Sequence, residues 1–342
     1  MTGRASAWGC QGLPCLTGLV RLLATALVVN ITALIRKTKE LILALRTALV
    51  CWTSCCTQSK GKSVPNPYLR GDGRPELLRS WLAFLDVLGF KEILREDDRS
   101  QIEQLHHLLR QGSNILQGAE NDDLATEGFQ LPDYHALTAF TDNIVLGFPI
   151  HDDGEMESGM AFDRIGEFQL HMVLGGFFVR GGLAFGDAYV DDLAVYGPAL
   201  LQAYEAESQL ARDPRIVISQ SGKEVIAHHL EYYGRMPHAP QNTDLKRDRD
   251  GQWFIDYLES TIIDPHPEEQ LIDFEKVMAH RDIVTAKLSE YSANPRVWSK
   301  YEWVADYHND FCARYPKYFD RDFLIDVEAA RASISSILTD VD

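Results

Sequence analysis

Two aspartates sit where the sequence pattern puts the ends of strands. Asp86 closes an apolar run of strand length, residues 80–86, and is followed by Val87-Leu88-Gly89-Phe90, a glycine-containing turn into a helix. Asp142 lies in Thr141-Asp142-Asn143 between two strand-like runs, 134–140 and 144–148, which read as a hairpin with Asp142 near its tip. A single aspartate at such a place ordinarily caps a turn or a helix. Two of them at neighbouring strand ends repel unless a cation sits between them. Mg²⁺ or Mn²⁺ takes oxygen ligands and keeps positions open for substrate phosphates. Two such ions can activate a hydroxyl and stabilise a leaving pyrophosphate. The backbone N–H groups of Leu88, Gly89 and Phe90, at the start of the helix, are the expected phosphate cradle.

Several elements must position these groups. Residues 100–116 and 155–174 have helical spacing, and 118–133 read as a polar loop. Residues 177–185 are apolar and glycine-rich, the mark of a buried strand with close backbone neighbours. A helix over 197–210 and a short strand over 215–219 follow. The order β-α-β-β-α-β-α-β predicts an α+β fold, one mixed sheet with helices on one face. Beyond about residue 223 the segments 268–291, 296–315 and 323–338 are mostly helical in pattern, rich in Tyr, Trp and His, and read as a helical appendage. The expected organisation is an N-terminal arm (1–62), a linker (63–76), a catalytic domain (77–222) and the appendage (223–342).

The charge is divided along the chain. Residues 1–70 hold nine Lys/Arg and one acid, whereas 71–342 hold 24 Lys/Arg and 49 Asp/Glu. So acidic a body excludes broad nucleic-acid binding, which needs a cationic surface. It accepts a small anion only where metal or backbone dipoles neutralise it. Five of the six cysteines fall in the first 56 residues, which leaves the body without a disulfide framework or a Cys-rich zinc site. The arm has apolar stretches at 13–35 and 41–52 around Arg36, Lys37 and Lys39. It either spans a membrane, lies on one, or docks on a partner. In each case the body is expected in the cytoplasm, with any membrane contact made through residues 13–52.

The motifs resemble a family. Asp-Val-Leu-Gly-Phe at 86–90, Phe-Thr-Asp-Asn at 140–143, Arg-Gly-Gly-Leu-Ala-Phe-Gly-Asp at 180–187 and Gly-Pro-Ala-Leu at 197–200 occur in the order seen in class III nucleotidyl cyclases. The resemblance covers roughly residues 81–219, and implies a palm-like, ferredoxin-like domain. It implies two Mg²⁺ or Mn²⁺ ions held by Asp86, Val87 and Asp142, with Asp86 and Asp142 as the catalytic carboxylates. It also implies a homodimer with sites at the interface. The likeness is greatest to the pyrimidine cyclases of the bacterial Pycsar anti-phage system, which share Tyr-Gly-Pro-Ala-Leu at 196–200, Ala-Tyr-Glu at 203–205, Lys-Tyr-Glu-Trp at 300–303 and Tyr-His-Asn at 307–309. Those enzymes make cyclic UMP or cyclic CMP, which triggers a separate effector. In purine cyclases the positions of Thr138 and Ala194 carry groups that read the base. Neither residue here has such a group, and a site that lacks its hydrogen-bonding partners loses discrimination. Tyr134, on the same strand face as Asp142, either narrows the base pocket or packs in the core. Arg180 reaches phosphate or pairs with acids. Lys223 stands near the family's triphosphate lysine or is a solvated loop residue. Leu201 and Glu205 replace the family's transition-state Asn and Arg. That departure keeps a non-catalytic nucleotide sensor open beside the enzyme, with a purine cyclase as a third reading.

Overall fold

The computed structural model describes residues 66–95, 98–117, 135–151, 154–264 and 270–331. The chain divides into two compact units, 1–63 and 64–342, and every described residue belongs to the second. The N-terminal arm, its cysteines, the 118–133 loop and Tyr134 lie outside the described residues.

The first strand, β1 (Leu78–Val87), is buried over six consecutive residues, Ser80–Leu85. So long a run without polar alternation means that both faces of the strand are covered. Trp81, Ala83, Leu85 and Val87 point into one core cluster, and Leu82 and Phe84 into another. After β1 come α1 (Phe90–Arg95) and α2 (Arg99–Gln117), then the hairpin β2 (Ala136–Phe140) and β3 (Asn143–Pro149). Next are α3 (Glu155–Leu174) and the long β4 (Val179–Val190). This β-α-β-β-α-β unit has strand order β2-β3-β1-β4, with every pair antiparallel, which is the ferredoxin-like arrangement. The α+β class and the mixed sheet expected from sequence are thus observed.

Helices were expected on one face of the sheet, and the structure corrects this. The chain continues through the two-residue β5 (Val195–Tyr196), α4 (Pro198–Leu210), β6 (Ile216–Ile218) and α5 (Gln220–Tyr233). Phe162 and Phe168 of α3 share a cluster with the odd-numbered side of β1, whereas Ala199 and Ala203 of α4 pack with Leu82 and Phe84 on the opposite side. The approach of α4 depends on Gly182. A Cβ there would meet Ala203 O at 2.1 Å and Glu207 N at 2.8 Å.

A second correction concerns the C-terminal region, which is not wholly helical. After the short α6 (Pro240–Thr243), β7 (Leu245–Arg247) and β8 (Trp253–Ile255) extend the same sheet through β6 in the order β6-β8-β7. Arg215, at the start of β6 and 1% exposed, is ion-paired with Asp248 and Asp250 in the turn between β7 and β8. Trp303 Nε1 donates to Asp248 Oδ2 at 2.8 Å. Neither β7 nor β8 was read from the sequence, because each is three residues long and, unlike the wholly apolar β6, is flanked by charged and polar residues. A small sheet of β9 (Ile262–Asp264) and β10 (Leu271–Ile272) precedes α7 (Phe274–Glu290) and α8 (Pro295–Arg314). These last helices bury Val277, Val284, Val304 and Phe311 with Phe178 and Phe254 in one cluster. No described helix is long and apolar enough to cross a membrane.

Candidate active site

Asp86 follows Leu82 and Phe84 at every second position of β1, so it lies on the α4 side of the sheet. Its cross-strand neighbours are Asn143 on β3 and Arg180 on β4. Asp142 is joined to the same place through the main chain: Val87 N–H donates to Asp142 O at 2.9 Å. The two carboxylates therefore sit on hydrogen-bonded neighbouring strand ends, as expected.

The hairpin tip is strained. Phe140 pairs with Asn143, so the loop is Thr141-Asp142 alone, and Thr141 has φ +57°. A β-branched residue rarely adopts that conformation, and glycine is favoured at the first position of such two-residue loops. Side-chain bonds keep Thr141 there and orient the carboxylate. Thr141 Oγ1 lies 2.9 Å from Asp142 Oδ1, and Asn143 Nδ2 donates to the same oxygen at 3.2 Å.

Arg180 holds the acids together. Its Nε donates to Asp86 Oδ2 at 2.9 Å and its Nη2 is 2.7 Å from Glu207 Oε1. Its Nη1 has only a long contact, 3.4 Å, with the Ala211 carbonyl. Of the two sequence readings of Arg180, the pairing with acids is the one seen. Glu207 was missed from sequence. It lies on α4 with its side chain 6% exposed, and only the packing of α4 against Gly182 brings it to Arg180. Burial raises its carboxyl above the ordinary range. Arg180 opposes that shift, and the charges of Asp86 and Asp142 add to it. Three acids therefore share one region around Arg180.

The donor set fits a hard divalent cation. Asp86 Oδ1 and Asp142 Oδ2 have no hydrogen-bond partner among the described residues. Val87, next to Asp86, can contribute only its carbonyl. No group of three or more His, Cys, Asp or Glu among the described residues forms a metal cage. Two carboxylates with open oxygens are what Mg²⁺ uses when water and substrate phosphate complete its shell.

Between the β2–β3 hairpin, β5 and α4 is a cavity of about 820 Å³ whose wall includes Phe84, two residues before Asp86 on the same strand face, and Phe140, two residues before Asp142. Phe84, Thr138, Phe140, Ala194, Leu201 and Tyr204 are among its walls. Thr138 and Ala194, the two positions expected to face the base, are thus brought together. Phe140, Leu193, Leu201 and Tyr204 are large hydrophobic residues left at least half exposed. Leu201 is in this wall, and Glu205 is exposed on α4.

Other expected residues lie elsewhere or are already engaged. Leu88 N–H donates to Phe178 O at 2.9 Å, so it is not free for the phosphate cradle expected of Leu88, Gly89 and Phe90. Gly89, at φ +81°, makes the turn into α1. Lys223 is not brought to Asp86 within the chain, because its Nζ donates to Gln252 Oε1 at 2.7 Å in the β7–β8 turn.

No family model matches the chain, and no curated protein matches it. Among solved structures it is similar to a class III adenylyl cyclase-like ATP-binding protein from Pseudomonas aeruginosa, at 12% identity and a TM-score of 0.31. That match covers 44% of this chain and 35% of the other, so the chain spans about a third of that protein's length. It is also similar to the guanylyl cyclase Cya2, at 15% identity and a TM-score of 0.29, over 53% of this chain and 92% of the other.

Proposed function

We propose that this chain is a nucleotidyl cyclase acting on a pyrimidine nucleoside triphosphate, UTP or CTP. The observation that carries the reading is the pair Asp86 and Asp142. They sit on hydrogen-bonded strand ends, each with an open oxygen, and the residues two positions before them, Phe84 and Phe140, line the cavity walled by Thr138 and Ala194. In the reaction the ribose 3′-oxygen attacks the α-phosphorus of the same molecule. The bond from that phosphorus to the bridging β-phosphate oxygen breaks, pyrophosphate leaves, and the hydroxyl proton passes to water. Two Mg²⁺ or Mn²⁺ ions on Asp86, Asp142 and the Val87 carbonyl would supply charge neutralisation at the reacting phosphate. The chain itself orients Asp142 through Thr141 and Asn143, and holds Asp86 and Glu207 on Arg180.

Pyrimidine selection rests on what the cavity lacks. Its walls are apolar or neutral except for Asp192, and no long charged side chain reaches in to read a purine edge. Short polar groups and backbone then serve the base, without the charged partners that favour a purine. The apolar rim of Phe140, Leu193, Leu201 and Tyr204 is the surface that a second copy would cover in a homodimer. The product would be a cytoplasmic messenger that acts on a separate cyclic-nucleotide-sensing effector in anti-phage defence, with the N-terminal arm at the inner membrane.

Leu201 and Glu205 favour a second reading, a nucleotide sensor without turnover, because neither can stabilise a phosphoryl transition state as Asn and Arg do. One experiment separates the two. The purified chain is offered the four NTPs in equal amounts with Mn²⁺, and the products are identified by mass. Cyclic UMP or cyclic CMP is expected to dominate. Cyclic AMP or cyclic GMP would overturn the base assignment, and no cyclic product at all would favour the sensor.

A further inference from the structure

A second cavity, about 690 Å³, opens on the other side of Arg180. Arg180, Arg212, Arg296 and Lys300 line it, with Ser208 and Ser299 among its remaining residues and no carboxylate in its wall. In a body with 49 acids against 24 bases, four cations meeting in one concavity with no carboxylate in its wall run against the prevailing charge, and of the four only Arg180 has close acid partners. Like charges repel, and such a cluster is stable in place when an anion is its partner. Arg296 and Lys300 have no ion pair with any described carboxylate. Arg212 has only a long one, 4.0 Å to Asp213, with its side chain 77% exposed. Burial and the neighbouring Arg180 and Arg296 lower the Lys300 ammonium below its ordinary value, and Asp86 and Asp213 oppose them. A bound anion would therefore relieve an existing strain of charge.

The cavity adjoins the carboxylates. Arg180 lines it and also holds Asp86 at 2.9 Å. The start of α8, which carries Arg296, Ser299 and Lys300, is fixed to the same strand end. Tyr301 packs edge-on against Phe178 with ring centroids 5.0 Å apart, and Phe178 O accepts from Leu88 N–H just after Asp86. A triphosphate whose α-phosphate lies at Asp86 and Asp142, and whose base enters the apolar cavity, would have its remaining phosphates next to these cations.

We propose that the cavity of Arg180, Arg212, Arg296 and Lys300 is a polyphosphate site that holds the β- and γ-phosphates of the substrate and then the pyrophosphate. The C-terminal helix α8 is thereby part of the nucleotide site. The owner of the phosphate rests on the cyclase reading; the polyphosphate chemistry does not.

The test uses the full chain and calorimetric titration in chelator, so that metal at the aspartates plays no part. The probes are inorganic pyrophosphate, tripolyphosphate and UMP. Arg296→Gln and the double variant Arg296→Gln/Lys300→Gln are compared with wild type and with Arg235→Gln, which removes an exposed charge elsewhere. Thermal unfolding confirms that each variant folds. Arg296 is exposed, so the single variant preserves the test if the double one is unstable. Pyrophosphate and tripolyphosphate affinity is expected to fall several-fold in Arg296→Gln and at least tenfold in the double variant, with no change in Arg235→Gln. UMP, which lacks these phosphates, should bind all four proteins alike. Equal pyrophosphate affinity in wild type and the folded single variant would overturn the site, as would an equal loss for UMP. With a turning-over enzyme, the double variant should raise KM for UTP more than it lowers kcat, and an unchanged KM would overturn the site. If the wild type makes no cyclic product but still loses pyrophosphate on substitution, the cyclase reading fails and the polyphosphate site stands.

Discussion

Asp142 is placed by a residue that ought not to be there. Thr141 adopts φ +57°, which costs roughly 1–3 kcal/mol for a residue other than glycine. What offsets the strain is the contact of its hydroxyl with the Asp142 carboxylate and with the Phe140 carbonyl. Thr141→Gly should therefore leave the fold as stable or more stable by up to about 1 kcal/mol. It should also slow cyclisation several-fold, because Asp142 loses a restraint. Thermal unfolding and initial rates on one preparation check both halves, and an undiminished rate would remove the positioning role. Neither the backbone angle of Thr141 nor the approach of Glu207 to Arg180 was legible in the sequence. Thr141 acts through a backbone angle, and Glu207 through the approach of α4 to Gly182, so neither signal is a residue type at a spacing. The placement of Asp86 and Asp142 was legible because strand ends and hairpin tips are local patterns.

Among the elements, some long ones were read within two residues of their observed bounds, whereas the strand read over 177–185 runs on to Val190 and the helix α5 was not read. The helices 100–116 and 155–174 and the strands around Asp86 and Asp142 have runs long enough to show their period. The three-residue strands β7 and β8 do not, and they join the sheet through the buried Arg215 rather than through any pattern of their own. The helix pair α7–α8 carries a polar chain in its core. Tyr257 donates to His280 Nε2 at 2.9 Å, the two Nδ1 atoms of His280 and His308 are 3.0 Å apart, and His308 Nε2 is 2.8 Å from Phe323 O. One assignment satisfies every member: His308 donates from Nε2 to the carbonyl, and His280 donates from Nδ1 to His308. Both rings are then neutral, and burial pulls His308 down to about 4. That is below the unfolded value of about 6.5, so the contribution to stability is full above pH 6.5 and is lost as pH falls toward 4. Wild type should exceed His308→Gln in stability at pH 7.5, and the gap should narrow by about 2 kcal/mol by pH 5. Denaturant unfolding at the two pH values measures it. Every titrating group away from His280 is common to both proteins, so a constant gap would show that His308 is not held neutral.

At the scale of the whole molecule, the acidic unit 64–342 is one continuous assembly from β1 to α8, in which the C-terminal helices reach the strand end that carries Asp86. The composition break near the linker predicts that the arm is separable from this unit. Removal of residues 1–62 should leave the cyclisation rate per mole unchanged in solution while altering membrane association or solubility. Rates together with flotation on anionic vesicles would decide, and a folded but inactive truncation would make the arm part of the active assembly.

Asp86 and Asp142 are the proposed carboxylates of a cyclising site. The decisive measurement is cyclic-nucleotide formation from UTP and CTP with saturating Mn²⁺ by wild type, Asp86→Ala and Asp142→Ala, each shown by circular dichroism and unfolding to be folded. The metals would supply most of the charge stabilisation at the reacting phosphate, so either substitution is predicted to lower the rate by on the order of a thousandfold or more. Near-full activity in either folded variant would contradict the assignment.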